Sequence, residues 1–132
     1  MRTEKFYRGA QKGLSKMNCG SYFTPCEETA ESYVYNNNEK VYSFDFSVSL
    51  FDVTPFMSIC DFDLGLSEIF EILNDNDVLS NKVYEKYDGF RIDCGHTWLV
   101  IIFGNVCVET SKITKLSFIE MIKEDEINPI LK

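Results

Sequence analysis

Between Val41 and Leu50 the chain alternates without a break: Tyr42, Phe44, Phe46, Val48 and Leu50 fall on one side, Ser43, Asp45, Ser47 and Ser49 on the other. A period of two puts every apolar side chain on one face of an extended chain, so the segment predicts a strand with one wet face. Upstream, Lys5 to Arg8 reads as a short strand, the glycines at 9, 13 and 20 as a loop, and Ser21 to Thr24 as a second strand that Pro25 stops. From Cys26 to Tyr35 the period changes. Ala30, Tyr33 and Val34 sit at offsets of three and four, and Glu27 and Glu28 stand where a helix's first turn favours carboxylates. Asn36-Asn37-Asn38 then reads as a turn.

Between Asp63 and Lys86, the groups Leu66, Ile69, Phe70, Leu73 and Val78, Leu79, Val83, Tyr84 recur at helical offsets, interrupted by the polar Asn74 to Asp77. Two helices are expected there. The stretches Gly89 to Cys94, Thr97 to Phe103 and Asn105 to Val108 are rich in β-branched and aromatic residues and punctuated at Gly95 and Gly104-Asn105, which predicts strands joined by tight turns. The expected fold is α+β: one small domain over residues 1–132, mostly antiparallel sheets in a split β core, with helices inserted.

Composition narrows the functions. At 132 residues with 45% hydrophobic and 14% aromatic content, the chain has apolar surface enough for one core. Thirteen basic against 21 acidic residues give a net charge of −8, the wrong sign for nucleic acid or an anionic membrane surface. The longest apolar run, Trp98 to Phe103, falls far short of the roughly 20 residues a helix needs to cross a bilayer. The opening residues break into charge by Arg8, so no secretory signal is expected. Five cysteines at irregular positions (Cys19, Cys26, Cys60, Cys94, Cys107) do not read as a disulfide framework, and thiols in a cytoplasmic protein are expected. The acidic run Glu124 to Glu126 reads as a solvated face.

The most informative segment is Gly20-Ser-Tyr-Phe-Thr-Pro-Cys-Glu-Glu-Thr-Ala-Glu-Ser-Tyr33, preceded by Phe6-Tyr-Arg-Gly9. It resembles the nucleotide-binding half of the ADP-ribosyltransferase fold, the group that includes the poly(ADP-ribose) polymerases and diphtheria-type toxins. In that group a first strand ends in His-Gly or Arg-Gly, a second carries Gly-x-Tyr-Phe, and a helix supplies Ala-x-x-Tyr eleven residues after the first tyrosine. Arg8-Gly9, Tyr22, Ala30 and Tyr33 occur in that order, with Tyr33 eleven residues after Tyr22. Tyr87-Asp88-Gly89 is similar to a turn that small members carry before their last strands.

The resemblance implies NAD as substrate. Breaking the nicotinamide–ribose bond leaves a neutral base and a cationic sugar, which calls for aromatic faces and excluded water. On this reading Tyr22 and Tyr33 sandwich the nicotinamide, a cation–π arrangement worth about 1 to 2 kcal/mol per face. Gly9 grips the carboxamide through its backbone, Thr24 belongs to the same binding set, and Arg8 holds a ribose hydroxyl or the pyrophosphate. Lys12 and Lys16 add local positive potential. The other reading of the same residues is an ordinary core: a Tyr-Phe pair on a strand and a Tyr on the next helix.

One part of the pattern is missing. The family places a glutamate at the start of a late strand, and the two possible registrations put that position on Gly104 or on Leu99. Glu109 is the nearest substitute, although its odd offset from Gly104 turns it to the other face of a regular strand. Asp93, His96 and Thr97 lie in the preceding turn, and Asp93 is a weaker substitute than Glu109. The catalytic candidates are thus Arg8, Tyr22 and Glu109, and a missing carboxylate argues against polymer synthesis. No metal is expected, because His96 and the cysteines match no zinc spacing.

Three functions stay open. The first is a mono-ADP-ribosyltransferase acting on a protein or other macromolecular acceptor, in a toxin or host-manipulation role of the kind small stand-alone members play. The second is an inactive relative that binds NAD, ADP-ribose or a protein. The third is an unrelated α+β interaction protein whose two tyrosines are core.

Overall fold

The alternation centred on Phe44 folds as a strand with one wet face: Tyr42, Phe44 and Phe46 are buried while Ser43 and Asp45 are exposed. The computed structural model describes residues 2–57, 65–76 and 83–116. Its elements run β1 (Glu4–Gln11), β2 (Lys16–Met17), β3 (Tyr22–Phe23), α1 (Glu27–Glu31), β4 (Glu39–Phe46), β5 (Leu50–Asp52), a 3₁₀ turn (Thr54–Phe56), α2 (Leu66–Asp75), α3 (Val83–Lys86), β6 (Gly89–Asp93), β7 (Trp98–Ile102), β8 (Gly104–Cys107) and β9 (Ile113–Lys115). The class is α+β, with strands outweighing helices.

β1 and β4 form an antiparallel pair in which Phe6 faces Phe44 and Arg8 faces Tyr42. The sequence pattern runs on to Leu50, but β4 stops at Phe46. Asp88 accounts for the break. Its backbone N–H donates to the Ser49 carbonyl at 2.7 Å, and its carboxylate accepts the Ser49 N–H at 2.8 Å. That clamp hands the chain to β5, which joins β6 in parallel with Leu50 opposite Gly89, an exception to the expected antiparallel pairing. Gly89 is required there, because a Cβ would collide with the Ile101 carbonyl.

β7 is buried on both faces. In the sheet ordered β3-β7-β6-β5, Leu99 and Ile101 join Phe90, Ile92 and the α2 residues Ile69, Phe70 and Leu73 in one core. Val100 and Ile102 join Phe6, Phe23, Phe44 and Phe46 in the other. A fully buried aromatic of this kind contributes about 1.5–3 kcal/mol of transfer free energy. Edge-to-face geometry adds specificity: Phe23 meets Phe44 and Phe46 at 5.2 and 5.4 Å, and Phe90 meets Phe103 at 4.6 Å. Beyond Phe103 the chain enters a third sheet, β2-β8-β9.

Several expectations change. The helix expected from Cys26 to Tyr35 ends at Glu31, where the Tyr33 N–H turns back to the Ala30 carbonyl in a tighter turn. Cys94 is disulfide-bonded, which corrects the expectation of thiols throughout; Cys26 and Cys107 are free thiols. No helix among the described residues is long and apolar enough to cross a membrane. Cys60, Asp63, Val78, Leu79 and the acidic run Glu124 to Glu126 lie outside the described residues.

Candidate functional site

Three elements converge beside the Arg8-Gly9 pair. β1 and β3 are joined by a single antiparallel bridge, with the Tyr7 N–H donating to the Thr24 carbonyl at 2.7 Å and the Thr24 N–H to the Tyr7 carbonyl at 3.0 Å. Thr24 is buried, and its hydroxyl has two partners. It accepts the Cys26 N–H at 3.2 Å at the start of α1, and it meets the Thr97 hydroxyl at 3.1 Å across to the β6–β7 turn. α1 can then lie close on β1 because Gly9 has no side chain. A Cβ there would stand 2.7 Å from the Ala30 carbonyl oxygen and 3.1 Å from Val34 Cγ2.

The result is a cleft of about 230 Å³ whose walls include Arg8, Gly9, Tyr22, Thr24 and Tyr33, with Tyr7, Phe23 and Ala30 completing them. All five residues expected to bind a nucleotide therefore line one hollow. Tyr22 and Tyr33 are half-buried, and Tyr22 also packs against the core around Phe90 and Leu99. Phe23, the neighbour of Tyr22 with opposite parity, does go into the core.

Arg8 carries the site's positive charge. One guanidinium nitrogen, Nη1, donates to the Tyr22 carbonyl at 3.0 Å, whereas Nε is buried without a hydrogen-bond partner. Burial pulls the Arg8 pKa below its ordinary value while the electrostatic influence of Tyr22 opposes it. An arginine nonetheless remains a cation. A buried donor left unmade costs about 1–3 kcal/mol. Burial also pushes the Tyr22 phenol up to about 12; Glu68 adds to the rise and Arg8 opposes it. Tyr22 is therefore a neutral hydrogen-bonding ring at physiological pH, not a base.

Glu68, in the first turn of α2, is the carboxylate that the sequence pattern does not reveal. Its signal is hidden because it is one exposed acid among many on a helix whose other face is apolar. The acids that the sequence does single out lie elsewhere. Glu109 is exposed in the turn after β8 and does not line the cleft. Six residues and a bend at Phe103 separate Val108, next to it, from Ile101, the partner of Tyr22. Asp93 caps its own turn by accepting the Gly95 N–H at 3.0 Å. His96 is exposed, 3.5 Å from the Thr29 hydroxyl, and Thr97 reaches the cleft only through Thr24.

The two positions at which the resemblance would place a catalytic glutamate have no room for one. Gly104 is buried, and a Cβ on it would strike the Thr114 carbonyl of β9. Leu99 is fully buried in the apolar core. No carboxylate is thus among the described residues that line the cleft. A broader groove beside it, over Tyr7, Pro25 and Cys26, is edged by Glu27, Glu28 and Glu31. Among the described residues no three His, Cys, Asp or Glu side chains gather as a metal site. In comparison with known proteins, no family model matches the chain, nor does any curated protein or solved structure.

Proposed function

We propose that the cleft takes the nicotinamide end of NAD and that the protein transfers ADP-ribose once to a macromolecular acceptor, most simply a protein. The observation that carries this reading is the convergence of Arg8, Gly9, Tyr22, Thr24 and Tyr33 on one hollow, from three separate elements. At about 230 Å³ the cleft is smaller than the ~300–1,000 Å³ that buries a whole drug-sized ligand, so it suits one end of a dinucleotide with the remainder across the surface. Two phenol rings favour the pyridinium, Gly9 lines the cleft beside them, and the Arg8 guanidinium in the same wall supplies the cationic donor for a ribose hydroxyl or a phosphate oxygen.

In the transfer, the bond between the nicotinamide nitrogen and ribose C1′ breaks, and its electron pair leaves with the neutral base. A nucleophile on the acceptor forms the new bond to C1′ and releases its proton to solvent. The working compartment under this reading is the cytoplasm, and the Cys94 disulfide is the observation that pulls the other way. A second reading, binding of NAD or ADP-ribose without transfer, is favoured by the lack of a carboxylate among the described residues of the cleft wall, since stabilising the sugar cation is commonly a large part of catalysis. Incubation of the full chain with NAD separates the two. Released nicotinamide that disappears in Tyr22→Ala supports transfer, binding with no release supports the second reading, and neither binding nor release removes both.

A further inference from the structure

We infer that a second cavity, built around Arg91 and Trp98, binds a small organic oxyanion, a carboxylate or phosphate monoester carrying a short apolar group. The cavity encloses about 170 Å³ and shares no described lining residue with the first cleft. Its apolar contribution comes from Val48 and Leu50, with Phe6 and Phe46 buried behind them. At the rim Arg2 holds Glu4 at 3.2 Å, which neutralises the one carboxylate among the described residues that line the cavity.

Arg91 and Trp98 supply the polar wall. The guanidinium carbon lies 3.7 Å from the centre of the Trp98 ring, close enough to stack. Stacking occupies a face of the guanidinium and leaves its edge, where all five N–H donors lie. Nε itself is buried with no hydrogen-bond partner, so a ligand in the cavity would meet the terminal Nη1 and Nη2 nitrogens. The nearest acid by strand register is Asp52, opposite Arg91 in the β5–β6 pair; its Oδ1 accepts the Thr54 N–H at 2.9 Å, and against the opposing pull of burial that bonding and the Arg91 charge hold its pKa low without a direct ion pair. Among the described residues no carboxylate comes within ion-pair distance of Arg91. A guanidinium held flat against Trp98, with Val48 and Leu50 in the same wall, suits the oxygens of a carboxylate or phosphate that carries a small hydrocarbon group. The volume corresponds to roughly six water-sized groups, which limits the ligand to about the size of benzoate.

Trp98 is the chain's one tryptophan, so its emission reports on this cavity alone. The full chain is titrated with benzoate, phenyl phosphate and inorganic phosphate, with chloride matching ionic strength, while the Arg91 Nε–H resonance is followed separately from that of Arg8. A saturable change in both Trp98 emission and the Arg91 resonance is expected with benzoate, phenyl phosphate or both, and the stronger arm identifies the oxyanion. Arg91→Lys keeps the charge but loses the fork and should weaken binding about tenfold or more. Val48→Phe fills the cavity while leaving the Arg91 side chain itself unchanged and should abolish the saturable response; it carries the test alone if the Arg91 variant does not fold. Responses that chloride reproduces, a shift confined to Arg8, inorganic phosphate binding as well as its phenyl ester, or undiminished binding in Val48→Phe each overturn the inference.

Discussion

Gly9→Ala tests the geometry of the first cleft with a single methyl group. The added Cβ would lie 2.7 Å from the Ala30 carbonyl oxygen, roughly 0.7 Å inside an ordinary contact, and 3.4 Å from the Tyr33 carbonyl carbon. The obstacle is backbone, so α1 must move away from β1 and take Tyr33 with it. Overpacking of this kind costs about 1–3 kcal/mol, and the stiffer unfolded chain returns about 0.4–1 kcal/mol of that. The net loss of about 1–2 kcal/mol lowers Tm by roughly 3–8 °C in a chain of this size. NAD at ~100 times its dissociation constant should stabilise the wild type by about 2.7 kcal/mol, and Gly9→Ala should forfeit most of that response. Gly13→Ala is the control. Its φ of 84° strains an alanine by about 1–2 kcal/mol, but nothing lies within 4 Å of the new methyl, so stability falls and the NAD response survives. Thermal melts with and without NAD read both quantities. A Gly9→Ala protein as stable as wild type, or one that keeps the full NAD shift, refutes the tight seating of α1 on β1 as the origin of the cleft.

Three other perturbations have signed outcomes. The fold raises the Tyr22 pKa from 10.0 to about 12, so the protonated phenol is favoured in the native state; this stability is complete below about pH 10 and lost as pH rises through about 12. Discounted for partial exposure it amounts to about 1–2 kcal/mol, and urea midpoints across that range should fall less in Tyr22→Phe than in wild type, with Glu68→Gln moving the decline to lower pH. Arg8→Met removes a partly buried cation that has no acidic partner among the described residues, so urea unfolding should show stability between unchanged and about 1 kcal/mol higher while the NAD response is lost. Thr24→Val leaves the Cys26 N–H without its side-chain acceptor and cuts the link to Thr97; chemical unfolding should show a loss of about 1–3 kcal/mol.

The parts of the fold legible in the sequence are those where a period had length to express itself. β4 declared itself through Tyr42, Phe44 and Phe46, and β6 to β8 through their β-branched and aromatic runs. β2 and β9 span two and three residues, too short for any period, and exist because β8 has edges to pair. The end of β4 was illegible because its cause, Asp88, is thirty-nine residues from Ser49 in sequence. α1 read too long for a related reason: the turn from Ala30 to Val34 is shaped by the close approach of Gly9 from another element. Arg8, Gly9, Tyr22, Thr24 and Tyr33, named through the resemblance, line one hollow because the short-range order of β1, β3 and α1 keeps them close. Glu68 was not accessible that way, since its relation to Tyr22 is created by the packing of α2 on the sheet.

The most direct test of the nucleotide reading is a calorimetric titration of the full chain with NAD, repeated on Tyr22→Ala and Tyr33→Ala. One site per chain is expected, with each alanine weakening binding by about tenfold, the loss of one aromatic face on the pyridinium. No heat of binding in the wild type, or binding equally tight in both variants, contradicts it.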